Sequence, residues 1–283
     1  MKKIIITLTT ILACCLCVVC ITNCITDSTD KVEKQETTEK LPWNVTVFLD
    51  LSDRLTHGKT MSQTEIDTLI VKHIVDLFVN DCVKQKIIGS QNSFQILFHP
   101  TPSISTINAL TADLKVDLSK IPASEKRKSL IKLQQNVSNN LGIIYNTVLE
   151  KHAWFGSDIW DFFSSKKVDK YCIKPGYRNI IVILTDGYLF YRDNKIKEKD
   201  AYSYILPQTL SNPNSSLIVK RDSLTELEVL FLEINPFKPD QRDKLQSVIG
   251  NWLEGMGVAK ESYLIQESDI PKNTEIVIDS FFN

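Results

Sequence analysis

The sequence has no phosphate-binding P-loop, no Gly-x-Gly-x-x-Gly turn and no Gly-x-Ser-x-Gly elbow, so it offers none of the usual signatures of nucleotide binding or serine hydrolysis. Basic and acidic residues nearly cancel, to a formal net charge of -1, and no basic face is interleaved with aromatic side chains. A nucleic-acid partner is therefore not expected. The cysteines and histidines lack zinc-type spacing, and no internal repeat is present. What is there is 283 residues, 43% hydrophobic and 24% charged, enough to bury a full core in one large domain or two small ones.

The first residues do not read as part of that core. Lys2 and Lys3 precede an uncharged apolar run over residues 4–21, the pattern of a secretory signal or, at roughly 18 residues, of a short membrane anchor. Either sends the chain out of the cytoplasm. Residues 11–14, ILAC, resemble a bacterial lipoprotein signal, in which a cysteine is acylated and becomes the mature N-terminus. Cys14, Cys20 and Cys24 are the lipidation candidates, the last two lying nearer the polar stretch that follows. A signal anchor whose cysteines are merely small apolar residues is the other main reading, and simple secretion a third. Residues 1–25 are thus signal or anchor. Residues 26–43 form a polar tether, because TDSTDKVEKQETTEK cannot bury a core. Residues 44–283 form the folded domain, expected outside the cytoplasm in a bacterial cell envelope.

Within that domain, nearly all-apolar runs at 45–49, 94–98, 180–184, 227–234 and 263–265 read as strands covered on both faces. Helical patterns lie between them. Ser62 and Glu65 have capping-box spacing ahead of an apolar stripe through Ile66, Leu69, Ile70, Ile74, Leu77 and Phe78. Further helices are expected over about 140–151, about 239–253 and at the end through Ile276 and Phe281, and residues 112–118 alternate like an edge strand. This alternation predicts an α/β fold of three layers, with a mostly parallel sheet and helices on both faces.

Ligands of such sheets sit beyond the carboxyl ends of the strands. Two strands end in acids: VTVFLDLSDRL places Asp50, Ser52 and Arg54 at alternate positions, and IIVILTDGYLF runs into Thr185, Asp186 and Gly187. Two carboxylates at neighbouring strand ends require something positive between them, and Mg²⁺ or Mn²⁺ held by oxygen ligands is one solution.

At these residues the chain resembles the von Willebrand factor A-type (vWA) domain, a Rossmann-like fold whose members hold a metal ion at an adhesion site. The resemblance spans about residues 44–283 and implies a protein-binding adhesion or scaffold module, not an enzyme. Asp50, Ser52 and Asp186 match the metal-ligating positions, and Ser138 is the candidate for the hydroxyl of the middle loop. A partner's Asp or Glu would complete the coordination. Arg54 stands where the family has a second serine. It either points inward and replaces the ion, paired to Asp50 or Asp186, or swings out to Asp53 or solvent and leaves the metal in place. A metal-free scaffold is thus the alternative. A third reading, a haloacid-dehalogenase-like phosphohydrolase with Asp50 as nucleophile, lacks the second acid two residues on, where Ser52 stands.

Three further expectations follow. The segment 188–225 leaves the sheet beside Asp186 and is long enough to carry recognition, with Tyr188, Tyr191 and Arg192 as binding candidates. The aromatic stretch 154–163 precedes a strand and is expected at the end opposite the site. Cys82 and Cys172 are candidates for a disulfide in an exported domain, His57 lies just past the site, and two buried thiols are the alternative.

Overall fold

The computed structural model describes residues 40–56, 60–188, 195–198, 201–204, 224–236 and 241–283. The chain divides into two compact units, Met1–Lys40 and Leu41–Asn283, and the architecture that follows is that of the second. The lipidation candidates Cys14, Cys20 and Cys24, the tether up to residue 39, His57, Tyr191 and Arg192 lie outside the described residues. Among the described residues no helix is long and apolar enough to cross a membrane.

Six strands form one sheet in the order β3-β2-β1-β4-β7-β8. They are β1 (Trp43–Leu49), β2 (Ser93–Leu97), β3 (Val116–Asp117), β4 (Arg178–Leu184), β7 (Leu227–Ile234) and β8 (Tyr263–Glu267). All neighbours are parallel except β3, which runs antiparallel to β2 at the edge. A separate antiparallel hairpin, β5 (Lys195–Glu198) and β6 (Ala201–Tyr204), lies within the segment between β4 and β7. The helices are α1 (Gln63–Lys84), α2 (Ser105–Ala112), α3 (Ala123–Glu150), α4 (Ile159–Ser164), α5 (Lys167–Cys172), α6 (Arg242–Gly255) and α7 (Pro271–Phe282). The fold is mixed α/β with three layers, as the alternation of apolar runs predicts.

The pleat explains why the central strands are apolar throughout. Val45, Val47 and Leu49 of β1, with Ile180, Val182 and Leu184 of β4, pack on α1, α3 and α7. Phe48, Ile181, Ile183 and Phe231 face the opposite layer, where Phe162, Phe163, Ile249, Trp252 and Leu253 cover them. Alternate residues of one strand therefore feed two separate cores. Ser62 and Glu65 form the expected capping box. The helix expected over about 140–151 is longer than its apolar signal: α3 starts at Ala123, because Leu130, Leu133, Val137 and Leu141 bury one narrow stripe while the other faces stay polar. Of the alternating stretch 112–118, residues 116 and 117 alone pair as a strand.

Of the two readings of Cys82 and Cys172, the pair of separate buried thiols holds. Cys82 and Cys172 are both buried free thiols, one in each core, with the sheet between them. Cys82 accepts a hydrogen bond from Asn92 at 3.5 Å, and burial pushes its thiol up to about 11 and that of Cys172 up to about 12.

At the amino end of the sheet Arg178 joins three elements. Its Nε and Nη2 each donate at 2.7 Å to Glu228 of β7, and Nη1 and Nη2 donate to the carbonyls of Phe282 and Phe281 at 2.6 and 2.8 Å. These carbonyls end α7 and have no partner within the helix. A lysine cannot reproduce the fork. Arg178→Lys is expected to lower stability by about 1–3 kcal/mol in urea denaturation, with exchange protection lost first in α7.

Candidate functional site

Strand order reverses between β1 and β4, the position at which open α/β sheets leave a crevice beyond their carboxyl ends. Asp50 is the first residue past β1, and its N–H donates to Leu184 O at 3.1 Å. One of its oxygens accepts from Thr185 Oγ1 at 2.8 Å and the other from the Ser52 N–H at 2.8 Å. The second bond closes a tight turn typical of aspartate. The chain then enters a 3-10 turn, Asp53–Thr56, which carries Arg54 back over the strand ends while Asp53 stays exposed.

Arg54 points inward and is 2% exposed. Its Nη2 lies 2.6 Å from Asp67 Oδ2 and 3.1 Å from Leu184 O, its Nη1 3.3 Å from Asp67 Oδ1, and its Nε 3.7 Å from Asp50 Oδ2. The inward alternative thus holds, but with Asp67 of α1 as chief partner in place of Asp50 or Asp186. Burial works against the guanidinium charge, and the Asp67 and Asp50 carboxylates outweigh it.

Asp67 also accepts from Gln63 Nε2 at 3.0 Å and from Tyr145 OH of α3 at 3.1 Å. The same Gln63 nitrogen is 3.2 Å from Glu233 Oε2, which accepts from Ser268 Oγ at 2.7 Å. One buried polar network therefore joins the ends of β1, β4 and β7, helices α1 and α3, and the residue after β8. Glu233 sits at an irregularity of β7 with φ +67, and its Oε1 has no hydrogen-bond partner among the described residues. Burial raises its carboxyl above the usual range, and the bonds from Ser268 and Gln63 oppose that in part.

Sequence reasoning missed Gln63, Asp67, Tyr145 and Glu233. A signal for Asp67 existed: Gln63, Asp67, Ile70 and Ile74 share one helical face, so an acid stands in the buried stripe. Such a residue is almost never fully buried unless paired.

Asp186 is half-buried beside the network. The Tyr188 N–H donates to its Oδ1 at 3.1 Å, and the Asn235 N–H to its carbonyl at 3.0 Å. Burial, and then the nearby Asp50 charge, push it up to about 7. Burial also raises Asp50, which Arg54, Thr185 and Ser52 pull back only in part. Gly187 has φ +94, and a Cβ there would lie 3.1 Å from Ile234 Cδ1, so a glycine is required. Tyr188 OH donates to Gln241 at 2.5 Å.

Two expectations are corrected. Ser138 is exposed in the middle of α3, a rigid helix, and not in a loop at the crevice. The loop that does reach the crevice is 151–158: Leu51 N–H donates to Gly156 O at 3.3 Å, and Phe155 N–H donates to Leu51 O at 3.1 Å. The aromatic stretch therefore starts at the site end. Its helical part, through Phe162 and Phe163, runs down into the second core. Ser157 in this loop is buried, with no hydrogen-bond partner for its hydroxyl among the described residues.

A divalent cation bound by Asp50 would face the buried guanidinium, whose Nε is 3.7 Å from Asp50 Oδ2, and like charges at such range repel by several kcal/mol even at an effective dielectric near 20. Both Asp50 oxygens already accept protein hydrogen bonds. Among the described residues no group of three or more His, Cys, Asp or Glu could hold a metal ion. The donor set does not fit a tightly bound divalent ion.

No protein-family model matches the chain, and no curated protein matches it. Solved structures show a distant likeness. An aerotolerance-related membrane protein from Bacteroides fragilis is 12% identical, with 85% of this chain and 98% of that one covered at a TM-score of 0.40. BatB from Bacteroides thetaiotaomicron is 11% identical, over 85% and 98%, at 0.36. The pilus adhesin SpaC from Lactobacillus rhamnosus GG, in its open conformation, is 10% identical at 0.43, and the alignment covers 86% of this chain but 30% of the adhesin. At these identities and scores no property of those proteins passes to this chain.

Two outcomes test the network. Asp67→Ala removes the chief partner of a buried guanidinium and is expected to cost about 3 kcal/mol in urea denaturation, whereas Arg54→Met with Asp67→Leu recovers most of that loss. Because folded Asp186 holds its proton more tightly than the unfolded chain does, its contribution to stability is full below about pH 4 and is lost as the pH rises to about 7. Asp186→Asn should remove this slope and stabilise the protein at pH 8 by about 2 kcal/mol.

Proposed function

We propose that this chain is a vWA-like module of a bacterial cell envelope, tethered through its N-terminal segment, that binds another protein at the carboxyl end of its sheet without a metal ion. The observation that carries the reading is Arg54, buried against Asp67 and beside Asp50 where the family would hold a cation. Asp50-x-Ser52 and Thr185-Asp186-Gly187 support the family assignment, since the strands bring them together and Thr185 donates directly to Asp50. A binding role fits better than catalysis. An Asp50 nucleophile would need a free carboxylate oxygen, and both of its oxygens are engaged.

The chemistry of the partner follows from the same charge. A partner's carboxylate would need an open cation to receive it, and Arg54 is enclosed. Asp53, Glu65 and Asp269 are exposed at this end, where the cations Arg242 and Lys272 are paired to Glu267 and Glu275, and Asp186 is half-exposed between the strands. A partner segment carrying lysine or arginine therefore complements the crevice.

Calorimetric titration of Mg²⁺ and Mn²⁺ tests the metal-free reading. The protein is expected to give no saturable heat, while Arg54→Ser in an Asp67→Asn background, which leaves no unpaired buried acid at position 67, gains binding that Asp186→Ala removes. Saturable binding by the unaltered protein, lost in Asp186→Ala, would overturn it. A lysine-rich peptide should bind more tightly than a glutamate-rich one of equal length, and less tightly as salt is raised.

A further inference from the structure

The end of the sheet opposite the crevice carries a different surface. Helix α1 ends at Lys84, and Lys86, in the left-handed region at φ +59, turns the chain sharply toward β2. Non-glycine residues rarely take this conformation, and here it sets a compact turn closed by Lys86 N–H to Val83 O at 3.0 Å and Gly89 N–H to Lys86 O at 2.7 Å. Val83 in the last turn of α1 and Ile88 in the turn are 54% and 71% exposed, and flank the exposed Lys84 and Lys86 in sequence. Buried Lys126 of α3 ties the turn down, donating to Ile88 O at 2.9 Å and Ser90 O at 2.7 Å, which brings the exposed Arg127 to the same end. Lys120, on the residues that follow β3, is exposed and pairs with Asp117 at 3.3 Å. Of the nearby acids, Asp117 is already shared by Lys120 and Lys174, and Glu125 is exposed.

Two protruding aliphatic side chains set among cations make up a surface suited to the boundary of an anionic bilayer, where the aliphatic groups enter the headgroup layer and the cations meet phosphate. The route of the chain says what covers it. Trp43 N–H donates to Asn92 Oδ1 at 2.9 Å, and Leu118 N–H to Asn92 O at 2.9 Å, so β1 begins at this end, and exposed Leu41 precedes it. In the sequence residues 22–40 separate Leu41 from the apolar run, so β1 is the first described strand that the chain reaches after it. We infer that the α1–β2 turn, with Val83, Ile88, Lys84 and Lys86 at its centre, docks on an anionic lipid surface and turns the crevice away from the membrane. This rests on the proposal that the N-terminal run holds the chain at a membrane.

The full chain, mixed with phosphatidylcholine vesicles with or without phosphatidylglycerol, tests the inference when the lipids carry brominated chains, which quench nearby tryptophan. The fluorescence added by Ile88→Trp should be quenched at least about threefold more with phosphatidylglycerol than without, and that added by Ile270→Trp, at the crevice end, should not. Lys84→Glu with Lys86→Glu should abolish the difference while leaving the melting temperature unchanged. Equal quenching at the two positions, or quenching at position 88 that ignores lipid charge, overturns the docking surface. Sedimentation separates this from the anchor: a chain that sediments with both vesicle types but shows no difference at position 88 is anchored without docking. A chain that sediments only with phosphatidylglycerol and loses this in the double lysine variant docks without an anchor, and one that sediments with neither has neither property.

Discussion

The guanidinium of Arg54 needs the carboxylate of Asp67, since neither charge can stay in the core by itself, and much of the crevice is arranged around that need. Removing two ions from water carries a penalty that their attraction offsets only with good geometry and with the remaining hydrogen-bonding positions filled. The protein fills most of them with Leu184 O, Gln63 and Tyr145, groups from β4, α1 and α3, while Arg54 Nε has no hydrogen-bond partner among the described residues and lies 3.7 Å from Asp50 Oδ2. The pair therefore fixes the position of α1 and α3 relative to the strand ends.

The same pair sets the chemistry of the crevice. Asp50 accepts from Thr185 and Ser52 and lies 3.7 Å from Arg54 Nε, and in the metal-free reading the cation of the crevice comes from within the chain. The opposite end of the sheet is basic around the α1–β2 turn. A domain that is acidic at its crevice and basic where its first strand begins has an orientation in any field set by an anionic surface. In this reading membrane proximity and partner binding belong to opposite ends of one sheet, so they do not compete for surface.

Much of the architecture was legible because buried parallel strands must be apolar on both faces. The runs at 45–49 and 180–184 could hardly be anything else, and their polar ends at Asp50 and Thr185-Asp186 pointed to the crevice. The start of α3 was not legible, since a helix that buries one narrow stripe reads as polar sequence. Ser138 was misplaced for the same reason: a helix thought to begin after it in fact runs through it. The loop 151–158 and Ser157 were hidden because loops carry no periodic pattern, and their place at Leu51 depends on where a 28-residue helix ends.

By itself the sequence determined the class of fold, the strands that form its centre and the two acidic exits, because hydrophobic periodicity and the first polar residue after a strand are local properties. Only the tertiary structure decided where Arg54 points, that Asp67 in α1 receives it, and that Cys82 and Cys172 lie in separate cores. Those outcomes depend on distances between residues far apart in the chain, and whether a buried charge finds its partner is settled only when the helices have packed.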